Sequence, residues 1–236
     1  PQQDYNAKGR AWPGYAHVWH FNDTGLQLAD SVDASQRGAP LGGVQMGAAG
    51  ISSRAIQLDG DDDAVKLHKP LAMGTGSHTI MVWVKVPLTD SQGLGQRERV
   101  GVILGNHSDS PNSNWEIHVQ GQMRAWWNNG QIDHHGSRDL RDHQWHCLAW
   151  VRDKEAGQLR LYIDGDLESS RDQVGTDLVF STPHRIGADN RAGNSPNYHG
   201  LLDEMRIARR ALSQSELRFH YQNVMQSEAF IRYIQD

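Results

Sequence analysis

The stretch HQWHCLAWVRDKEAGQLRLYIDGD (143–166) decides the fold. Its two halves, HQWHCLAWVRD (143–153) and GQLRLYIDG (157–165), are rich in aromatic, β-branched and aliphatic residues, and neither has the spacing of a helix face. In a strand, successive side chains point to opposite faces. Two such runs joined by a short Gly-containing connector, here KEAG (154–157), predict an antiparallel hairpin, and DGD (164–166) starts a further turn.

The same pattern recurs outward from this hairpin. HTIMVWVKV (78–86) places Ile80, Val82, Val84 and Val86 on one face of a strand. YAHVWHF (15–21), AIQLDG (55–60), DAVKLH (63–68), RVGVILGN (99–106), NWEIHVQ (114–120), QMRAWWNN (122–129), HRIGAD (184–189) and GLLDEMRIA (200–208) read as strands as well. QRGAPLGGVQMGAAG (36–50) reads as loop, being mostly Gly and Ala. After residue 212 the chain changes character. LSQSELRFHYQNVMQSEAFIRYI lacks Gly and Pro, and Ser213 followed by Glu216 has capping-box spacing. This predicts a helix whose Leu217, Tyr221 and Val224 pack on the sheets. The expected organisation is an N-terminal arm or linker (1–14), an all-β, two-sheet antiparallel sandwich (15–212) and a C-terminal α-helix (213–236).

Composition narrows the function. The chain has 236 residues, enough for one large β domain with a substantial core. Cys147 is the single cysteine, so neither an internal disulfide nor a cysteine zinc cluster can form. A net charge of −5 without a basic run argues against nucleic acid as a partner. No run approaches about 18 apolar residues, so membrane insertion is not expected. The sequence begins PQQDYNAKGR, without Met, and the expectation is a segment of a longer chain with flanking domains as partners.

Several segments taken together, in order and spacing over about residues 15–217, resemble the laminin-G-like branch of the concanavalin A-like lectin/glucanase superfamily. They are VWHFND, LDGDDDAVKL, HTIMVWVKV, QWHCLAWVRD with GQLRLYIDGDL, RIGAD, and GLLDEMRIARRALSQSEL. The resemblance implies a jelly roll of two stacked sheets, one concave, with Trp19, Trp83, Trp145 and Trp150 as fillers. It also implies an extracytoplasmic bacterial protein.

Enzymes on such folds place two carboxylates close together on one strand, as a retaining mechanism requires. The E-x-D-x-x-E pattern of laminarinase-like relatives is absent; Glu116 stands alone, and Asp164, Asp166 and Glu168 surround a turn. Alginate-lyase relatives would match His118 but not a Tyr-containing last strand, and His134 and His135 read as a polar loop. The chain is therefore expected not to be an enzyme.

Four acids crowd LDGDDDAVKL (58–67), yet EF-hand spacing is absent. The resemblance implies instead a structural Ca²⁺ held by Asp203, a carbonyl near Asn22 and a carbonyl of Gly60. The competing role for Asp203 is a buried, hydrogen-bonded acid. A rim ion would use Asp109, Asn114, Asp189 and Asn190. For ligand binding, RAWWNNGQIDHH (124–135) offers Trp126, Trp127, Asn128 and His134, with Tyr198 and His199 approaching the same rim. Adjacent Trp residues on a strand face opposite ways, so one points in and the other out. The leading expectation is a non-catalytic recognition module with a glycan or protein ligand at the concave face or rim loops. A structural spacer is the alternative, and a glycan-active hydrolase or lyase ranks last.

Overall fold

The alternating runs become strands. A computed structural model describes residues 12–73, 75–88, 101–107, 114–127, 131–190 and 197–225. In chain order the strands are β1 (Tyr15–Trp19), β2 (Gly38–Leu41), β3 (Gln45–Ala49), β4 (Arg54–Asp59), β5 (Ala64–Leu67), β6 (His78–Lys85), β7 (Gly101–Asn106) and β8 (Trp115–Gln120). They continue with β9 (Gln122–Trp127), β10 (Ile132–His135), β11 (Trp145–Asp153), β12 (Gln158–Ile163), β13 (Asp166–Arg171), β14 (Arg185–Ile186) and β15 (His199–Ala208). One helix follows, α1 (Gln214–Met225).

The strands form two antiparallel sheets. The first has the order β13-β12-β11-β6-β15-β4-β3, with β1 also on β15; the second has the order β10-β9-β8-β7-β14-β5-β2. The 143–166 hairpin forms as read, with Leu148 opposite Ile163 and Asp153 opposite Gln158. Two expectations are corrected. The 36–50 stretch carries β2 and β3. His134 and His135 lie in β10 instead of a loop. Beyond the expected Asp-Gly turn the chain continues as β13, paired with β12. Gly, Ala and Pro hide β2 and β3, because edge strands have fewer side chains to bury.

The eight-stranded sheet is buried on both faces. Ile80, Val82 and Val84 of β6, Leu148 and Trp150 of β11, and Leu161 of β12 face the second sheet and form the main core with its Val65, Ile103, Ile117 and Met123. The intervening residues Met81, Trp83, Cys147, Ala149, Val151 and Tyr162 form a smaller core on the opposite face. This explains why β6 and β11 read as nearly continuous apolar runs instead of alternating with polar residues. It also corrects the placement of the Trp residues. Trp19 and Trp150 fill the inter-sheet core, whereas Trp83 and the half-buried Trp145 belong to the second cluster. Helix α1 covers that cluster with Leu217, and the Tyr221 ring stacks on Trp83 at 5.6 Å between centroids. The helix thus packs on the sandwich through a part of 213–236; residues 226–236 lie outside the described ones, as do 1–11 of the N-terminal arm.

Candidate functional site

Strands β8, β9 and β10 end the seven-stranded sheet. Along β9, Met123, Ala125 and Trp127 turn into the core, so Arg124 and Trp126 turn outward. The register extends this outward set. Asp133 of β10 and Glu116 of β8 lie on either side of Trp126; His135 and His118 lie on either side of Arg124. The Trp126 ring is half-buried and stacks with His107 at 6.1 Å. Arg124 holds Asp133 through two hydrogen bonds, Nε to Oδ1 at 2.6 Å and Nη2 to Oδ2 at 2.8 Å. His135 Nε2 lies 2.7 Å from the same Oδ1. Burial raises the Asp133 pKa, but the hydrogen bonds and charge of Arg124, then His135, outweigh it and hold the carboxyl below its ordinary range. Asp133 is thus a fixed anion. Glu116 Oε2 and His118 Nε2 approach to 2.8 Å, both buried on the same face. An aromatic ring flanked by fixed donors and acceptors is the chemistry that recognises a sugar: the ring covers C–H groups and the polar side chains bond hydroxyls.

The other described residues expected to contact ligand, Trp127, His134, Tyr198 and His199, lie away from this patch. Trp127 is 2% exposed. Its Nε1 donates to the Thr176 carbonyl at 2.9 Å, the Arg152 guanidinium covers its ring at 5.1 Å, and His78 stacks on it. His134 faces inward opposite Ala125, with Nε2 2.8 Å from Ser169 Oγ. Burial, then the charge of Arg171, lowers its pKa. Tyr198 is buried with its hydroxyl donating to the Lys85 and Leu201 carbonyls, and burial raises its pKa. His199 opens β15 opposite Asp59. Asn128 lies outside the described residues.

The Asp203 region is a second site. One edge of β15 changes partner along its length: His199–Leu202 pair with β4 and Met205–Ala208 with β1. Asp203 sits at this changeover, beside a ladder irregularity where Glu204 has a φ of 50°. Its carboxylate is fully buried. Oδ2 accepts the Ser52 N–H at 3.0 Å, while Oδ1 has no hydrogen-bond partner. Burial drives its pKa up to about 7, opposed by the Ser52 N–H and reinforced by the Glu204 charge. An orphaned buried carboxylate oxygen fits a hard cation. Because Trp19 lies opposite Met205, the chain leaves β1 toward Asn22 at the Asp203 end of β15. Gly60 is at the other end of β4, against His199, so it does not join Asp203. The glycine that meets this carboxylate is Gly50, where an added Cβ would fall 2.5 Å from Asp203 Oδ2.

The acidic turn itself is organised by backbone donors. Asp63 is buried, and its two oxygens accept the Gly43 N–H at 2.5 Å and the Asp59 N–H at 2.9 Å; Asp59 Oδ1 accepts the Asp61 N–H. Burial raises the Asp63 pKa against those bonds. Asp59 and Asp62 are exposed and bring oxygens within 4.8 Å of Asp63.

Comparison with known proteins agrees with this architecture. A family model described as the concanavalin A-like lectin/glucanases superfamily, of the laminin-G type, matches residues 59–218. The chain belongs to this superfamily. No curated protein sequence matches it. Among solved structures, the binding domain of Paraclostridial Mosquitocidal Protein 1 is similar at TM-score 0.69 and 17% identity, over 89% of this chain and 52% of that one. The botulinum neurotoxin serotype D binding domain is similar at TM-score 0.68 and 14% identity, over 89% and 52%. This chain spans about half the length of those toxin domains. Domain 4 of AbnA, a GH43 extracellular arabinanase from Geobacillus stearothermophilus, solved with arabinotriose, is similar at TM-score 0.65 and 21% identity, over 86% of this chain and 96% of that one. At these identities the likeness is one of fold. In this laminin-G-like sandwich the described residues expected at a rim ion, Asn114, Asp189 and Asn190, are engaged elsewhere or enclosed. Asn114 and Asp189 are buried, and Asn190 Nδ2 donates to Thr182 Oγ1 and the Pro183 carbonyl. Asp109 lies outside the described residues. No helix of the described residues is long and apolar enough to cross a membrane.

Proposed function

We propose that this laminin-G-like sandwich is a non-catalytic recognition module that binds a carbohydrate on the outer face around Trp126. The observation that carries this reading is the outward, half-buried Trp126 ring between Asp133 and Glu116, beside the Arg124–Asp133 clamp. The arabinotriose complex of AbnA domain 4 supports it, because that domain shares this fold over nearly its whole length. The extracellular nature of that arabinanase supports a place outside the cytoplasm for this chain as well. A glycan array read with Trp126→Ala and Trp127→Ala tests the proposal. Trp126→Ala is expected to abolish the glycan hits with an unchanged melting temperature. Trp127→Ala should cost about 3–5 kcal/mol of stability, because it opens a cavity in the core. Hits that survive Trp126→Ala place the ligand elsewhere. Glycan turnover lost in Glu116→Gln overturns the non-catalytic reading.

We also propose a structural Ca²⁺ held by the Asp203 carboxylate with backbone oxygen from the chain near Asn22. It would pin the ends of β1 and β15, which are distant in sequence, and neutralise a carboxylate that burial otherwise disfavours. EDTA should lower the melting temperature and Ca²⁺ restore it; no change overturns the ion.

A further inference from the structure

Across the described surface, cations are commonly matched with carboxylates. Arg124 pairs with Asp133, Arg141 with Asp139, Lys154 with Asp177, Arg160 with Asp153, Arg210 with Glu216 and Arg218 with Asp166. One groove departs from this pattern. It has a volume of about 750 Å³, runs beside β2 and β5, and is lined by Arg37, Lys66, His68 and Lys69 with no carboxylate in its walls. Arg37 donates to the Gln27 side chain and the Ala34 carbonyl, and Lys69 Nζ to Ser35 Oγ at 2.7 Å. Among the described residues, none of Arg37, Lys66 and Lys69 is ion-paired. Asp33, outside the groove walls, feels the Lys69 charge but gives its oxygen to the Ser35 hydroxyl and N–H.

Gathering like charges costs energy, and the chain uses buried hydrogen bonds to hold them together. Gln36 is 1% exposed. Its Oε1 accepts the Lys69 N–H and its Nε2 donates to the Lys69 carbonyl, both at 2.9 Å. The His68 N–H donates to the Arg37 carbonyl at 2.8 Å. The 34–37 and 68–69 loops are thus stapled, so the backbone that carries Arg37 and Lys69 is held in place before any ligand arrives, which lowers the ordering cost of binding. Arg185 on β14, directly opposite Lys66, continues the positive face inward across the sheet. Edge protection does not account for Lys66. The edge strand is β2, already blunted by its four-residue length and by Pro40, whereas Lys66 is one strand further in.

We propose that this groove binds an acidic polysaccharide, with uronate or sulfate groups paired to Arg37, Lys66 and Lys69. No Trp, Tyr or Phe lines it to stack a run of nucleobases, the platform that single-stranded nucleic acid needs. Its one lining leucine, Leu67, is buried in the core and offers nothing to a lipid surface. The groove is separate from the Trp126 patch. Ala188 and Asp189 pack over Gly105 of β7 between the two.

Affinity electrophoresis in gels containing polygalacturonate or dextran sulfate, with neutral arabinan as control, tests the proposal. Retardation by at least one polyanion is expected, weakening as salt is raised. Lys66→Gln combined with Lys69→Gln should weaken it on the order of tenfold or more. Arg37→Gln should act in the same direction. All three side chains are exposed, so melting temperatures should not move. Trp126→Ala should leave polyanion binding intact, which separates failure here from failure of the Trp126 site. Absence of retardation by both polyanions, or equal retardation of the variants, overturns the proposal. So does equal or stronger binding to duplex DNA or to phosphatidylserine vesicles.

Discussion

Asp203 couples ionisation to stability at a single side chain. Burial lifts its folded pKa from 3.8 to about 7, so the folded protein holds this proton over a range where the unfolded chain has lost it. A folded state that binds more protons loses stability as pH rises. The contribution is complete below about pH 4 and is lost on the way to pH 7, a decline of roughly 4 kcal/mol. With EDTA present, the melting temperature should therefore fall between pH 5 and pH 8. Asp203→Asn should flatten that fall, and Ca²⁺ at pH 8 should raise the melting temperature of the wild type but not of the variant. A wild-type profile as flat as the variant's would contradict the raised pKa. The site is only partly legible in the sequence for reasons visible at this scale. Adjacency alone shows that Trp126 and Trp127 face opposite ways. Which one faces out depends on where the other sheet lies, a tertiary fact. Likewise Gly60 and Gly50 are both turn glycines flanking β4, and only the β4–β15 register shows that Gly50 is the one at Asp203.

Helix α1 shows how far a local signal reaches. The capping box predicted from Ser213 and Glu216 forms reciprocally: Ser213 Oγ accepts the Glu216 N–H at 3.3 Å, and Glu216 Oε2 accepts the Ser213 N–H at 2.9 Å. The Arg210 hydrogen bond first, then those of Ser213, push the Glu216 pKa down to about 2. Its support is therefore present above the ordinary carboxylate range and is lost as pH falls toward 2. The cap fixes where the helix starts, and packing gives it most of its stability. Leu217→Ala should cost about 2–5 kcal/mol, since Leu217 is buried in the second core, and Ser213→Ala about 1 kcal/mol. Phe219→Ala, at a ring 60% exposed, should stay within about 0.5 kcal/mol. Urea unfolding that ranks Phe219 above Leu217 would mean that the helix packs by another face. Strands were legible where two faces are buried, as in β6 and β11, because both sets of side chains are apolar. They were illegible where burial is slight: β3 alternates only between exposed and half-buried residues, and β13 reads Asp-Leu-Glu-Ser-Ser-Arg. Their hydrogen bonds come from neighbouring strands, which no local pattern reports.

At the scale of the molecule, the order of strands dictates how the chain can fold. β15 is the last strand in sequence and lies inside the larger sheet, pairing with β6 along one edge and with β4 and β1 along the other. Tyr15 faces Ala208 and Trp19 faces Met205, contacts that span nearly the whole described chain. Until β15 docks, β6 and β4 each lack a partner on one edge, β1 has none, and the inward Leu202, Met205 and Ile207 are missing from the core. Loop-closure entropy for such distant pairings must be spent before their contacts form, so folding should be slow for a domain of this size, in milliseconds to seconds or longer. The stronger consequence concerns a fragment. Residues 1–198 contain fourteen of the fifteen described strands, yet should show no cooperative unfolding transition by tryptophan fluorescence or near-ultraviolet circular dichroism, because the missing strand lies at the centre of its sheet. Chains ending at residue 212 keep β15 and lose only the cover of the second core, so they should retain a cooperative transition at a lower melting temperature. A cooperative transition in 1–198 would show that the sheets close without β15, contrary to the pairing that joins β1, β4 and β6.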